Sequence, residues 1–199
     1  MATRERLLEH TSHLLTTTRY RDLKVVDIAR EAGTSPATFY QYFPDAESAV
    51  LALADRLVGE GGERLTTPLR EATWEGRDAF EACGAIAAAF LDFWQDHTPL
   101  MAVIDMAALE GDERFRDCRT QLLAKFTRAA SGVITEQQRL GVVAADIDPE
   151  ATAMVLVSML AHVAAHQVGI GIAGVDVPAL RSAMARLIYT GVTGRTPPD

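Results

Sequence analysis

Cysteine is almost absent from this chain of 199 residues, which has only Cys83 and Cys118. Two cannot make a disulfide scaffold. Each stands alone on an apolar stretch, so both are expected to be buried and not redox-active. A signal peptide is also missing, because Arg4, Glu5, Arg6 and Glu9 interrupt the start. Together these absences point to a reducing, cytoplasmic setting. Basic charge is not in excess either: 19 Lys and Arg face 27 Asp and Glu, a net −8, which argues against generic binding of polyanions. No Gly-x-Ser-x-Gly, phosphate loop or dinucleotide fingerprint occurs, so the chain is expected to need no cofactor and not to be an enzyme. His162 and His166, like His10 and His13, have ligand-like spacing but no third partner, and no metal site is expected; these histidines read as core or interface residues. Alternating runs, hairpin turns, repeats and low-complexity tracts are missing too, which removes β architectures and solenoids.

What remains is helical, in a composition 48% hydrophobic and 23% charged that suits a globular core. Thr3 reads as the cap of a helix to about Thr17, with Leu7, Leu8, Leu14 and Leu15 inward. A second helix runs from Val25 to Ala32 and stops at Gly33. A third opens with Ser35 as N-cap and Pro36 at its first position, and ends before Pro44. Asp45 caps a fourth, expected to fray at Gly59, Gly61 and Gly62. Thr98-Pro99, Asp148-Pro149 and Asp176-Val177-Pro178 read as further caps with early prolines. They open helices over about 98–109, 149–169 and 177–192, with others over about 78–97 and 113–140. The fold is all-α: a three-helix head, residues 1–44, and a helical body, residues 45–199.

Residues 151–175 contain no Asp, Glu, Lys or Arg and are long enough to cross a bilayer. The run is rich in alanine and glycine and holds Ser158, His162, His166 and Gln167. It reads as a helix buried in a core or an interface, with no membrane involved.

Residues 24–47 carry most information. Two short helices joined through Gly33-Thr34-Ser35 form a helix-turn-helix, the glycine allowing the tight turn. Phe39 and Phe43, at i and i+4, point together into the head against Ile28 and Leu23. The opposite side presents Pro36, Ala37, Thr38, Gln41 and Tyr42, with Tyr40 at the flank. Small residues near the helix start permit close approach to base edges, and hydroxyl and amide groups suit phosphates and bases. The head also carries a net charge of +1, leaving −9 for the body, so an acidic protein can still touch a polyanion with one end.

Ile28-Ala29, Ala32-Gly33, Ser35, Thr38-Phe39-Tyr40, Tyr42-Phe43 and Glu47 resemble the signature of the TetR family of bacterial transcriptional repressors. The motif covers about the first quarter of the chain. The resemblance implies that Pro36, Ala37, Thr38 and Gln41 face the major groove of double-stranded DNA, and that Lys24, Tyr40 and Tyr42 contact phosphates; Ser35, the cap of the reading helix, is counted with them as a DNA-binding residue. Two positions depart from the family's pattern: Ala46 stands where many members have lysine, and Ala37 where the recognition helix usually has glycine.

The resemblance also implies an effector pocket in the body. Ile86, Phe90, Phe93 and His97 follow a helical stripe with Trp94 and Phe80 beside them. Candidate lining residues are Phe90, Phe93, Trp94, Met101, Asp105, Leu122, Phe126 and Met154, with Asp105, His97 and Gln137 as polar anchors. The apolar set favours a small hydrophobic effector. The uncharged helix from Ala151 and the helix from Val177, with Leu180, Ala183, Leu187 and Thr190 on one face, are expected to form a four-helix homodimer interface, closest at Ala161 and Ala165. Such a dimer would read a pseudo-palindromic operator. The function expected is repression of transcription, relieved by ligand. Two other readings stay open: a helical ligand-binding protein with a vestigial head, and an effector-independent DNA-binding regulator.

Overall fold

The computed structural model describes residues 2–198, and its elements are all helical. They are α1 (Thr3–Leu14), α2 (Val25–Glu31), α3 (Pro36–Tyr40), α4 (Ala46–Arg70), α5 (Gly76–Asp96), α6 (Thr98–Leu109), α7 (Glu113–Arg139), α8 (Pro149–Ile172) and α9 (Val177–Thr193), with a short 3-10 turn at Tyr20–Asp22. They form two compact units. One contains the residues up to Gly59 together with His97–Thr120; the other contains Glu60–Asp96 and the residues from Gln121 onward.

Side-chain hydrogen bonds cap four of the helix starts. Ser35 accepts from the Thr38 backbone N–H at 3.1 Å, Asp45 from Ser48 at 2.7 Å, Asp148 from Ala151 at 2.9 Å and Asp176 from Ala179 at 2.7 Å. Each satisfies an N–H that has no partner within its own helix. Two expected caps are corrected. Thr3 and Thr98 are the first residues of α1 and α6, and the preceding Ala2 and His97 supply no side-chain cap.

In the first unit Leu7, Leu8, Ile28, Ala29, Phe39, Phe43, Ala49 and Val50 are buried, whereas Leu14 and Leu23 are only half-buried. Phe39 and Phe43 lie ring to ring at 5.6 Å. In the second unit α5 packs against α8 and α9. Gln167 Nε2 donates to the Leu91 carbonyl at 2.9 Å, and Arg181 Nε to that of Gly84 at 3.1 Å. Both cysteines are buried. Burial pushes the Cys83 thiol up to about 12; burial, with Asp55 beside it, takes Cys118 to about 11.

The expected fraying of α4 does not occur: the helix continues through Gly59, Gly61, Gly62 and Pro68 to Arg70. Packing outweighs propensity here. A β-carbon at residue 61 would lie 2.3 Å from Leu122 Cδ1 and 2.5 Å from Phe93 Cζ, and the Lys125 stem runs 3.1 Å from the corresponding point at residue 62. Lys125 Nζ then reaches Glu63 at 2.7 Å. Gly61 and Gly62 admit neighbours that pack against the helix.

The apolar helix α8 is long and apolar enough to cross a membrane, and 28% of its most apolar window is buried. Its inward residues are Ala153, Leu156, Val157, Leu160, Ala161 and Ala164. Ala161, expected at a contact between copies, therefore belongs to the chain's own core. Ala165 does face outward, together with Val155, Val168 and Ile172 from α8 and Ala183, Leu187 and Thr190 from α9. Expected as core or interface residues, His162 and His166 are also exposed, their rings stacked at 4.2 Å.

Candidate functional site

The short helix α3 is held from below and open above. Gly33, at φ +63°, closes the turn after α2. This left-handed backbone is easy for glycine and strained for most other residues. The Thr34 N–H returns to the Ala29 carbonyl at 2.9 Å. Phe39 and Phe43 are buried beneath the helix, and the Arg4 guanidinium covers the Phe43 ring at 5.3 Å.

The outer surface carries the expected set. Pro36, Ala37, Tyr40, Gln41 and Tyr42 are exposed, as are Ser35 and Lys24, and Thr38 is half-buried. Tyr40 is 58% exposed and Tyr42 43%, a large apolar area to leave in water without a partner. Ser35 Oγ and Thr38 Oγ1 lie 3.0 Å apart and share a hydrogen bond, so the cap also orients the Thr38 hydroxyl. Lys24 stands at the start of α2. Arg30 is engaged by Asp27 at 2.8 Å.

Behind this face lies a polar cluster with no signal in the sequence. Arg114, at the start of α7, bridges Glu47 on α4 and Asp112, the latter at 2.6 Å. Tyr20 packs edge-on against Phe115 at 6.2 Å. Burial, then the Glu47 and Asp112 charges, push its phenol up to about 12. The ion pairs hold Asp112 below its ordinary value, and Arg114 above its own. Glu47 and Arg114 are 67 residues apart, a separation that sequence patterns do not encode.

The expected effector residues fall into three groups. Phe90, Phe93, Trp94, Leu122 and Phe126 are buried in the second unit. Phe90 stacks on Trp94 at 5.8 Å and meets Phe126 edge-on at 5.0 Å. Gln137 is buried in the same unit. Met101 and Asp105 belong to the first unit, Met101 buried and Asp105 only 2.7 Å from Arg119 Nε. Met154 stands apart from the rings, 54% exposed on the outward side of α8. Val155 beside it is also exposed, whereas Ala153 and Leu156 face inward. No group of three or more metal-ligating side chains occurs among the described residues.

Residues 7–53 match the model for bacterial regulatory proteins of the tetR family, and residues 65–199 match that for the tetracyclin repressor-like C-terminal domain. The chain belongs to the TetR family. Among its relatives is the HTH-type transcriptional regulator EthR of Mycolicibacterium smegmatis, 28% identical over 71% of this chain. EthR of Mycobacterium tuberculosis is 40% identical over 34% of it. The chain spans 60% and 28% of the length of these two relatives. The TetR fold extends across the chain. A Saccharomonospora viridis protein solved with choline aligns with TM-score 0.77 and 23% identity, covering 96% of this chain and 98% of its own. The Bacillus subtilis regulator FadR, solved with stearoyl-CoA, aligns with TM-score 0.72 and 18% identity, covering 94% and 98%.

Proposed function

We propose that this TetR-family chain is a cytoplasmic, homodimeric repressor that binds a pseudo-palindromic operator and is released by a small hydrophobic ligand. The observation that carries the reading is the outer face of α3, where Tyr40, Gln41 and Tyr42 are exposed above an anchor of buried Phe39 and Phe43. In this reading Pro36, Ala37, Thr38 and Gln41 meet base edges, Lys24, Tyr40 and Tyr42 meet phosphates, and Ser35 fixes the helix start. The relatives named above are themselves transcriptional regulators, which favours regulation over catalysis.

Dimer formation is supported by the uncovered apolar faces of α8 and α9. A second copy would pair them about a two-fold axis, and the two α3 helices must then stand about 34–36 Å apart to enter successive major grooves. For the effector we infer the ring cluster Phe90, Phe93, Trp94, Leu122 and Phe126 in the body. A ligand entering there displaces packed rings, so it binds one arrangement of the body better than the other and shifts the population. The apolar cluster suits an effector with a largely hydrophobic body; stearoyl-CoA and choline are bound by structural neighbours, not shown for this chain.

Fluorescence anisotropy with the DNA upstream of the chain's own gene tests the reading. Preference for that DNA over unrelated duplex at physiological salt is expected, and equal affinity for both rejects it. Once an effector is in hand, a coupling of about 1–3 kcal/mol corresponds to roughly 5–150-fold weaker operator binding, and the operator must weaken ligand binding by the same factor.

A further inference from the structure

The first unit contains a groove of about 540 Å³ that the reading above does not use. Its size lies in the range of about 300–1,000 Å³ typical of small-molecule sites. The turn at Tyr20–Asp22 forms one side and α6 the other, and Leu15, Val103 and Met106 supply an aliphatic floor. Two arginines line it with different fates. Arg21 is ion-paired with Glu110. Arg19 is exposed, and among the described residues its guanidinium has neither an ion pair nor a hydrogen bond. The groove therefore has an apolar bed, a neutralised charge pair and one unanswered cation.

We propose that this groove binds a small amphipathic carboxylate, with the carboxylate on Arg19 and the aliphatic tail along Leu15, Val103 and Met106. A neutral lipid would leave Arg19 without a partner, and an amine would be repelled by it while Glu110 is occupied by Arg21. Occupancy has a direct route to the DNA-binding face. Tyr20 lines the groove and packs edge-on against Phe115, the residue after Arg114, which is ion-paired with Glu47 in the first turn of α4. Only Pro44, Asp45 and Ala46 separate Glu47 from the buried anchor Phe43. An occupant that moves Tyr20 alters the Tyr20–Glu47–Arg114 cluster, and with it the seat of α3. This consequence rests on the DNA-binding reading; the binding site itself does not.

Calorimetric titration of the full chain with octanoate, octanol and octylamine decides the site. Octanoate is expected to bind saturably, at least about tenfold tighter than the alcohol or the amine. Arg19→Gln should bring octanoate down to the level of octanol and leave octanol unchanged. Ala102→Trp, at an exposed position lining the groove, should abolish binding of all three, with circular dichroism confirming the fold. Failure of octanoate to bind, or unaltered binding by the folded Ala102→Trp variant, would overturn the site. Unchanged operator affinity at saturating octanoate would overturn the coupling to α3. A chain that bound octanoate as expected but had no operator preference would support the site and reject the DNA-binding function instead.

Discussion

The Phe93 ring rests on the backbone of Gly61, where a β-carbon would lie 2.5 Å from Cζ. Leu122 closes on the same point at 2.3 Å, and both side chains are buried. Gly61→Ala should gain up to about 1 kcal/mol of helix propensity and lose more to overpacking, typically about 1–3 kcal/mol. Gly59 has nothing within 4 Å of its missing β-carbon, so Gly59→Ala should show the gain alone. Urea denaturation of the two variants is expected to shift the midpoint in opposite directions. A stabilised Gly61→Ala would show that Phe93 and Leu122 have room to move.

The proposed base-reading and phosphate-binding roles fall on two neighbouring residues, Gln41 and Tyr40. A bidentate glutamine–adenine pair contributes about 1–3 kcal/mol of discrimination, so Gln41→Ala should relax preference at one base in each half-site. Tyr40→Phe should weaken binding to every sequence alike, since a phosphate contact carries no base information. Binding profiles over all single-base operator variants measure both effects. A profile unaltered by Gln41→Ala removes that residue from the reading set.

The outward face of α8 and α9 gives a clean test of assembly. Ile172 is 85% exposed and Leu187 55%, so a charge at either position does not disturb the chain's own core. Leu187→Glu and Ile172→Glu should yield folded monomers with much weaker operator binding, seen by sedimentation and anisotropy. Ala161→Glu should instead unfold the body, because Ala161 is buried within it. A wild-type chain that sediments as a monomer at micromolar concentration excludes the dimer.

Asp45 gives a pH dependence of known sign. Its carboxylate accepts the Ser48 N–H, and this bond holds its pKa below the ordinary value. The folded state thus favours the charged form. The contribution is fully present above the ordinary carboxylate range and is lost as pH falls through the depressed folded value. Stability of wild type relative to Asp45→Asn, measured by denaturation from neutral pH down to pH 3, should decline toward the acid end. A difference that stays constant would mean the cap does not depend on charge.

Residue order along the chain was enough for most of what acts over three or four positions, the caps expected at Thr3 and Thr98 excepted. Ser35, Asp45, Asp148 and Asp176 each hydrogen-bond an N–H three residues ahead, and Phe39 and Phe43 fall on one helix face. These relations do not depend on what lies elsewhere, so the helix-turn-helix and its exposed side were legible. Long-range packing decided the rest. In α8 nearly every residue is apolar, so hydrophobicity could not show that Ala161 turns inward and Val168 and Ile172 outward; contacts with α5 and α9 select the face. In α4 Gly61 resembles a break until Phe93 and Leu122, distant in sequence, occupy the space it leaves. Tyr20, Glu47 and Arg114 meet only in the folded first unit, because a charge pair 67 residues apart has no period for a sequence to display.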